Sequence, residues 1–251
     1  YPEALGELTK KYFTPAVCGT HGKGTTTALI SLILIKAKFD PTVVIGTKLK
    51  EFGDSNFRLG KSEYLVIEAD EYKASFLHYW PKIIILTTVD KDHLDYFKTL
   101  GNILKTFIQF VKHLPQNGWL VANAGEENSR KVLSQSSSQT VDYDPSKSKE
   151  AVKLRKILQI PGEHIVADAL AALAVARLLK IPDKISFQAL GEYHGAWRRF
   201  EESDLTMGRN KLKLINDYAH HPTEVSVTLK AVREKYPRKQ IWCVFQPHQY
   251  Q

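Results

Sequence analysis

The sequence predicts an α/β fold, in which a mostly parallel sheet is flanked by helices and carries a phosphate-binding loop. Three observations support this class. Short apolar runs alternate with segments of helical periodicity along the 251 residues, as they do in α/β proteins. Most runs are continuous and not alternating, which is typical of strands buried on both faces of a parallel sheet. A glycine-rich loop joins the first run to the first helical segment, as in phosphate-binding sites.

The elements follow one another regularly through the first 195 residues. Each predicted strand is a short apolar run, and the runs lie at Tyr12 to Cys18, Pro41 to Gly46, Tyr64 to Asp70, Lys82 to Asp90, Trp119 to Asn123 and, more weakly, Thr140 to Tyr143. Helical spacing of apolar residues predicts helices at Ala28 to Lys36, Leu100 to Leu114, Glu126 to Gln135, Glu163 to Leu179 and Ser186 to Tyr193. Polar stretches predict loops at Lys48 to Lys61, Ser134 to Ser138 and Asp144 to Lys149.

The organisation changes near Gly195, and we divide the chain into a domain of residues 1–195 and the beginning of a second, truncated, Rossmann-like unit over residues 196–251. This second unit is predicted to contain a strand at Leu212 to Asp217, a helix at Thr223 to Lys235 and a strand at Gln240 to Phe245. Two strands are too few for a stable parallel sheet. We therefore expect the sequence to be cut at its C-terminal end.

Composition excludes several classes of protein. The longest apolar run, Ile30 to Ile35, is too short to cross a bilayer, and no signal peptide opens the chain, so we expect a cytoplasmic protein that does not bind membranes. Cys18 and Cys243 have no disulfide-framework spacing. The formal charge of +8 favours anionic partners, but no basic run or zinc spacing predicts nucleic-acid binding. Anionic small substrates explain the charge equally well.

The glycine-rich loop is the strongest local signal. It contains Gly19, Thr20, His21, Gly22, Lys23, Gly24, Thr25 and Thr26. Two glycines allow tight turns, the lysine ammonium can reach the β- and γ-phosphates, and a threonine hydroxyl can bind Mg²⁺. The spacing G-x-x-x-x-G-K-[ST] is incomplete, because Val17 and Gly24 occupy the positions of the first glycine and the final hydroxyl. The alternative is a glycine turn before a buried helix, with a solvated lysine.

Acidic residues follow two of the predicted strands. Glu68, Asp70 and Glu71 end one strand, whereas Asp90, His93 and neighbouring acids end the next. Ligand sites of open α/β sheets lie at this edge, and Mg²⁺ prefers oxygen ligands. We predict Glu68 as a metal ligand, and His93 could ligate a second ion or orient a carboxylate. Solvated strand-end acids and a structural histidine are the alternatives.

Charged residues also lie on both sides of the start of the second unit. Arg199 could neutralise a transferring phosphoryl group, and Asp217 could bind a ribose hydroxyl. Equally, each could form a salt bridge between the two units. Thr223 could be only a helix N-cap, with Glu224 interacting favourably with the helix dipole.

Together these motifs resemble the Mur ligases of peptidoglycan synthesis, most closely the members that add L-alanine. The motifs that carry the resemblance, in family order, are Gly-Thr-His-Gly-Lys, Glu-Ala-Asp-Glu, Asp-His-Leu-Asp-Tyr, Pro-Gly-Glu-His, Trp-Arg-Arg-Phe-Glu, Asp-Tyr-Ala-His-His-Pro-Thr-Glu and Phe-Gln-Pro-His, from Gly19 to His248. The family has a UDP-sugar domain, a central ATPase and a C-terminal domain. The resemblance implies an intact central domain, the opening of the third domain and no UDP-sugar domain, and hence a fragment truncated at both ends.

The resemblance implies an ATP-dependent ligase that phosphorylates the lactyl carboxylate of UDP-N-acetylmuramate and joins it to L-alanine, with ATP and Mg²⁺ bound. By the same resemblance, Lys23 contacts phosphate and Thr25 binds magnesium. Glu68 and His93 are the implied ligands of a first and a second ion. The remaining implied roles are charge neutralisation by Arg199, ribose binding by Asp217, adenine contact in the segment that contains His164 and Asp168, and a place near the γ-phosphate for His220.

Two departures from the family pattern are visible. Gly24 replaces the usual Thr or Ser, so Thr25 must supply the hydroxyl. In the adenine motif, Ile165 and Asp168 stand where the family has asparagines. Isoleucine makes no amide contacts, and an ionised aspartate only accepts hydrogen bonds. These two replacements put selectivity for adenine in doubt. Alternatives to the alanine-adding reaction are the recycling of murein tripeptide, a folylpolyglutamate synthase-like reaction, and nucleotide binding without catalysis.

We expect the 251-residue chain to bind Mg-ATP weakly and to form no amide. Titration with a fluorescent ATP analogue tests the loop directly. The Lys23→Ala variant is expected to bind the analogue more weakly, because it lacks the ammonium that faces the phosphates. Equal binding by both proteins would contradict the assignment of the phosphate loop.

Overall fold

A seven-stranded sheet forms the centre of the protein in the computed structural model, which describes residues 1–247. The strands are β1 (Pro15–Cys18), β2 (Thr42–Leu49), β3 (Ser55–Arg58), β4 (Leu65–Glu68), β5 (Ile83–Leu86), β6 (Trp119–Asn123) and β7 (Gln139–Tyr143). Their order is β3-β2-β4-β1-β5-β6-β7. Every neighbouring pair is parallel except β2 and β3. The predicted α/β class is confirmed.

Helices cover both faces of this sheet. They are α1 (Pro2–Lys11), α2 (Lys23–Lys36), α3 (Leu94–Phe97), α4 (Leu100–Val111), α5 (Glu127–Leu133), α6 (Lys149–Ile157), α7 (Glu163–Leu178) and α8 (Asp183–Gly191). Side chains of α2, α6, α7 and α8 fill the core on one face, and those of α4 fill the core on the other. Successive residues of β1 point to opposite faces, since Val17 belongs to the first core and Ala16 and Cys18 to the second.

A smaller unit follows the main sheet. It consists of β8 (Glu201–Met207) and β9 (Asn210–Asn216), which form an antiparallel hairpin, and of α9 (Pro222–Lys235). We predicted a strand that overlaps β9, but the expected partner at Gln240 to Phe245 is not a strand among the described residues. The hairpin signal was present, because two residues, Gly208 and Arg209, separate the strands and Gly208 has a φ of 59°.

Four further elements were not predicted, one of which is the single-turn helix α3. The edge strand β3 lies inside the segment predicted as a loop, where Phe57 is its only apolar residue. Helices α1 and α6 were also missed, because few apolar residues mark their buried faces: α1 buries Leu5, and α6 buries Ala151 and Leu154. Within residues 1–247, none of the helices is long and apolar enough to cross a membrane. His248, the last residue of the Phe-Gln-Pro-His motif, lies outside the described residues.

The aromatic cluster under α4 gives a test of the second core. Phe107 is fully buried, with its ring edge-on to Phe76 at 5.2 Å. We expect Phe107→Ala to lower the free energy of unfolding by about 3–5 kcal/mol, because it removes buried surface and leaves a cavity. Phe57→Ala, at a position that is 49% exposed, is the control and should change it by about 0.5 kcal/mol or less. Urea denaturation measures both; equal losses would contradict the assignment of the core.

Candidate functional site

The glycine-rich loop runs from the end of β1 to the start of α2, and its backbone requires glycine at two positions. Gly19 and Gly22 have φ values of 132° and 81°. A Cβ atom at Gly19 would lie 2.1 Å from the Thr87 hydroxyl, and one at Gly22 would lie 2.4 Å from an oxygen of Asp168. Any side chain at either position would therefore clash as well as strain the backbone.

Hydrogen bonds from the end of β5 fix the loop in place. Thr20 donates its N–H to the carbonyl oxygen of Thr88 at 2.8 Å, and His21 donates its N–H to the Thr88 hydroxyl at 3.0 Å. The Thr87 hydroxyl donates to the carbonyl oxygen of His21 at 2.6 Å. Gly22 is the N-cap of α2, so the loop leads directly into the positive end of a helix dipole. This arrangement is suited to binding an anion.

Lys23 is held by a carboxylate and by the loop itself. Its ammonium donates to both carboxylate oxygens of Glu71, at 2.8 and 3.1 Å, and to the carbonyl oxygen of Gly19 at 2.7 Å. Burial disfavours the charged lysine, but the Glu71 carboxylate outweighs this effect and raises the pKa of Lys23. The side chain is therefore a cation, as phosphate binding requires. We predicted Glu71 as an acid at the end of a strand, but we did not predict its pairing with the loop lysine.

The acids after β4 separate into two groups. Glu68 lies beside the loop: its carboxylate accepts the Gly46 N–H at 2.7 Å, and a Cβ atom at Gly24 would lie 3.5 Å from it. Asp70, Glu71 and His93 form a second group, whose possible ligand atoms all lie within 4.8 Å of one another. The structure thus brings His93 close to Asp70 and Glu71, two acids that we had not predicted as ligands.

The threonines at the start of α2 have different environments. Thr26 donates its hydroxyl to Asp168 at 2.9 Å, and Thr27 donates to the carbonyl oxygen of Lys23 at 2.8 Å. Thr25 lines the adjacent cavity. The Thr26 hydroxyl is thus already engaged, which supports Thr25 as the hydroxyl that compensates for Gly24.

A cavity of about 710 Å³ opens beside the loop. Its wall includes seven of the predicted residues, namely His21, Gly22, Thr25, His164, Asp168, Arg199 and Asp217. The first five belong to the main sheet and its helices, and the last two to the second unit. Lys23, Glu68, His93 and His220 do not line this cavity among the described residues. A ligand bound here would contact both units.

The second unit contributes two opposite charges to the cavity. Asp217 accepts N–H groups from Phe200 and Ala219, each at 2.8 Å, which fixes its carboxylate. Arg199 forms no salt bridge with any described residue, and its guanidinium lies 5.5 Å from the centre of the Tyr218 ring. His220 lies at the start of α9, 3.6 Å from Glu224. Arg199 is therefore available to an anionic ligand.

The far wall of the cavity is largely apolar around two buried polar groups. Ile165 is 5% exposed, Asp168 is 5% exposed, and Tyr193 is 1% exposed with its hydroxyl close to the side chain of Thr25. Burial lowers the pKa of His164, although Asp217 opposes this effect. Burial also raises the pKa of Asp168 well above its ordinary value of 3.8. A neutral Asp168 can donate a hydrogen bond, which our sequence analysis did not consider.

The buried Asp168 carboxyl predicts a pH-dependent stability. Because its pKa is higher in the folded protein, its contribution is fully present below pH 3.8 and is lost as the pH rises through the folded-state pKa. Asp168→Asn keeps an acceptor for Thr26 but cannot ionise. We therefore expect the free energy of unfolding of this variant, measured relative to that of wild type, to increase as the pH is raised from about 4 to about 8.

Urea denaturation at each pH measures this difference. The control is Asp142→Asn, which removes an exposed carboxylate and should follow the wild type throughout. A pH profile of Asp168→Asn that is parallel to that of wild type would show that Asp168 is ionised in the folded protein.

Comparison with known proteins identifies relatives for both units. The sequence pattern of the Mur ligase middle domain matches residues 17–176, and that of the Mur ligase glutamate ligase domain matches residues 198–250. A UDP-N-acetylmuramate–L-alanine ligase of Clostridium botulinum is 37% identical over 98% of the chain, and one of Caldanaerobacter subterraneus is 40% identical over 98%. The chain spans 57% of the length of each of these relatives.

Solved structures show the same fold. A UDP-N-acetylmuramate–alanine ligase from Thermotoga maritima matches 94% of the chain and 57% of its own chain, with a TM-score of 0.77 and 24% identity. A murein peptide ligase from Psychrobacter arcticus matches 99% of the chain and 60% of its own chain, with a TM-score of 0.72 and 26% identity.

Proposed function

This chain belongs to the Mur ligase family. We propose that it forms part of an ATP-dependent ligase that joins L-alanine to UDP-N-acetylmuramate. The observation that carries the proposal is the cavity of about 710 Å³ that both units line, where the phosphate loop of one faces Arg199 and Asp217 of the other. The names of relatives that are 36–40% identical support the choice of substrates. A cytoplasmic location, where nucleotides are available, is part of the proposal.

We also propose that the boundary between the two units lies near residue 195, with a central ATP-binding domain over residues 1–195 and the start of a ligase domain over residues 196–251. The two separate sequence matches, to residues 17–176 and 198–250, support this division. So does the main sheet, whose strands all precede Gly195.

The reaction has to convert the carboxylate oxygen of the substrate, a poor leaving group, into a good leaving group. A carboxylate does not react with an amine, but an acyl phosphate does, because phosphate can leave from the tetrahedral intermediate. In the proposed reaction, the carboxylate takes the terminal phosphoryl group of ATP and ADP leaves. The alanine amine then attacks the carbonyl carbon and loses a proton, and the tetrahedral intermediate expels phosphate to leave the amide. Lys23 and Arg199 would offset the negative charge on the transferring phosphoryl group.

The residues around the loop are suited to holding Mg²⁺. Glu68, Asp70 and Glu71 supply carboxylate oxygens, which this ion prefers, and Glu68 lies against Gly24 of the loop. Thr25 adds a hydroxyl beside the cavity. We propose that Thr25 and Glu68 hold one ion and that His93, close to Asp70 and Glu71, holds a second. A bound ion would neutralise phosphate charge.

The other predicted residues fit nucleotide binding in the same pose. Gly19, Thr20, His21, Gly22, Gly24 and Thr26 form or support the phosphate loop. Asp217 would accept a ribose hydroxyl. His164 and Asp168 would face the base, and a neutral Asp168 could both donate and accept, as the family's asparagine does. His220 would lie near the γ-phosphate.

The metal assignment predicts that Glu68 acts only when magnesium is present. Glu68→Gln is expected to weaken binding of a fluorescent ATP analogue about tenfold or more in Mg²⁺ and to leave it unchanged in EDTA. Glu63→Gln, at an exposed position just before the same strand, is the matched control. Equal losses in both buffers would indicate a structural role, and no loss would exclude Glu68 as a ligand.

The reaction itself is tested by phosphate release. With ATP, Mg²⁺ and UDP-N-acetylmuramate, the complete product of the gene is expected to release phosphate when L-alanine is added. The second candidate is a ligase that adds the murein tripeptide, which the similarity to the Psychrobacter arcticus murein peptide ligase favours. Replacing L-alanine by the tripeptide in the same assay, with UDP-N-acetylmuramate kept, tests it. Release that depends on the tripeptide and not on L-alanine would replace the first proposal by the second.

A further inference from the structure

His21 lies between two carboxylates that come from different parts of the protein. Its Nε2 atom is 3.4 Å from Asp90, which follows β5, and its Nδ1 atom is 3.3 Å from Glu224 in the first turn of α9. The ring and the Glu224 side chain are only 14% and 15% exposed. A single imidazole in the phosphate loop therefore connects the main sheet to the second unit.

Further contacts surround this bridge. Thr223 donates its hydroxyl to the same Asp90 oxygen at 3.0 Å. The His221 ring packs on His21 with centroids 4.7 Å apart, and its Nε2 atom lies 3.0 Å from the Lys91 carbonyl oxygen. The Nδ1 atom of His221 accepts the Thr223 N–H. His21, Asp90 and His221 are close enough to hold a metal, but the ring nitrogens of both histidines already have hydrogen-bond partners.

The two carboxylates beside its ring nitrogens indicate that His21 is charged. A neutral imidazole has one N–H donor, whereas the imidazolium has two. Two carboxylates can both accept from this ring only if it is protonated; otherwise one of them faces a nitrogen lone pair. The same Glu224 carboxylate accepts the N–H groups of His220 and His221 at the start of α9, so its position is fixed by the helix and not by His21.

We propose that His21 is a positioning residue that, as an imidazolium, holds α9 and the second unit against the phosphate loop, and that loss of its proton releases this contact. The inference does not rest on the proposed reaction, because every contact that carries it lies within the protein. Its consequence for any bound nucleotide is that the cavity wall contributed by the second unit is held in place by a proton.

The charges around the ring agree with this role. Burial disfavours the imidazolium, but hydrogen bonds and attraction from Glu224 and Asp90 outweigh burial and raise the pKa of His21. Despite its own burial, the carboxyl group of Glu224 has its pKa lowered to about 2 by His21 and, further away, by Arg199. Two further titratable groups lie at this contact: the His221 ring packs on His21, and His220 is 3.6 Å from Glu224.

The directions of the pKa shifts of His21 and Glu224 define the pH range in which their contact is strongest. The contribution of His21 is fully present below its ordinary pKa of 6.5 and is lost as the pH rises through its raised value. The contribution of Glu224 is present above its ordinary value of 4.5 and is lost as the pH falls toward about 2. The contact is therefore strongest between these limits and weakens on the alkaline side.

Two measurements without nucleotide test the inference. NMR titration of histidine-labelled protein reports the pKa of His21, and hydrogen exchange, corrected for the intrinsic effect of pH, reports protection of the amides at the start of α9. In wild type this protection is expected to fall as His21 loses its proton. Because no ligand is present, failure of the proposed ATP binding would leave both results unchanged.

Matched variants separate charge from packing. Glu224→Gln keeps an acceptor for the helix cap and should shift the pKa of His21 toward 6.5, whereas Glu234→Gln, on an exposed position of the same helix, should not. His21→Gln should lower the protection about tenfold, the effect of losing one charge-assisted hydrogen bond. His21→Lys should retain the protection and remove its pH dependence.

Other results would overturn the inference. One is a pKa of His21 at or below its ordinary value of 6.5. A second is a His21 pKa that is the same in Glu224→Gln and in wild type. A third is protection of α9 in wild type that does not change across the titration of His21.

Discussion

The position of β1 between β4 and β5 determines where the loop meets the charged groups that follow β4 and β5. Parallel pairing sets Val17 opposite Glu68 and Cys18 opposite Leu86, so the loop that follows Cys18 begins where both neighbouring strands end. The acids after β4 and the threonines after β5 must then meet the loop at one edge of the sheet. The clash that a side chain at Gly19 would make with Thr87 and Thr88 follows from that close approach.

Much of this arrangement follows from local sequence. The central strands are continuous apolar runs, and the loop has a characteristic glycine pattern, so the central sheet and the turn between β1 and α2 were both predictable. The edge strand β3 and the helices α1 and α6 were not, because their few buried residues give no clear period. The hairpin of β8 and β9 was missed because its residues are nearly all exposed, and we gave its glycine turn too little weight.

The contacts that sequence could not supply are those between distant residues. Nothing in the local pattern indicates that Lys23 pairs with Glu71, that Thr26 bonds Asp168, or that His21 meets Glu224. Each depends on how the sheet register and the turn after residue 195 place separate elements. The departures from the family pattern become interpretable only with these partners known: Thr26 is engaged, Thr25 lines the cavity, and the buried Asp168 favours its neutral form.

The pairing of Lys23 with Glu71 also bears on which anions the loop can hold. The lysine already has a two-oxygen partner and two backbone carbonyls around it, so an incoming anion must replace a carboxylate and does not meet a bare cation. A small anion such as inorganic phosphate gains little from that exchange. An anion that also reaches Arg199 and the cavity gains additional contacts. We therefore expect the Glu71 carboxylate to favour binding of such a larger anion over binding of inorganic phosphate.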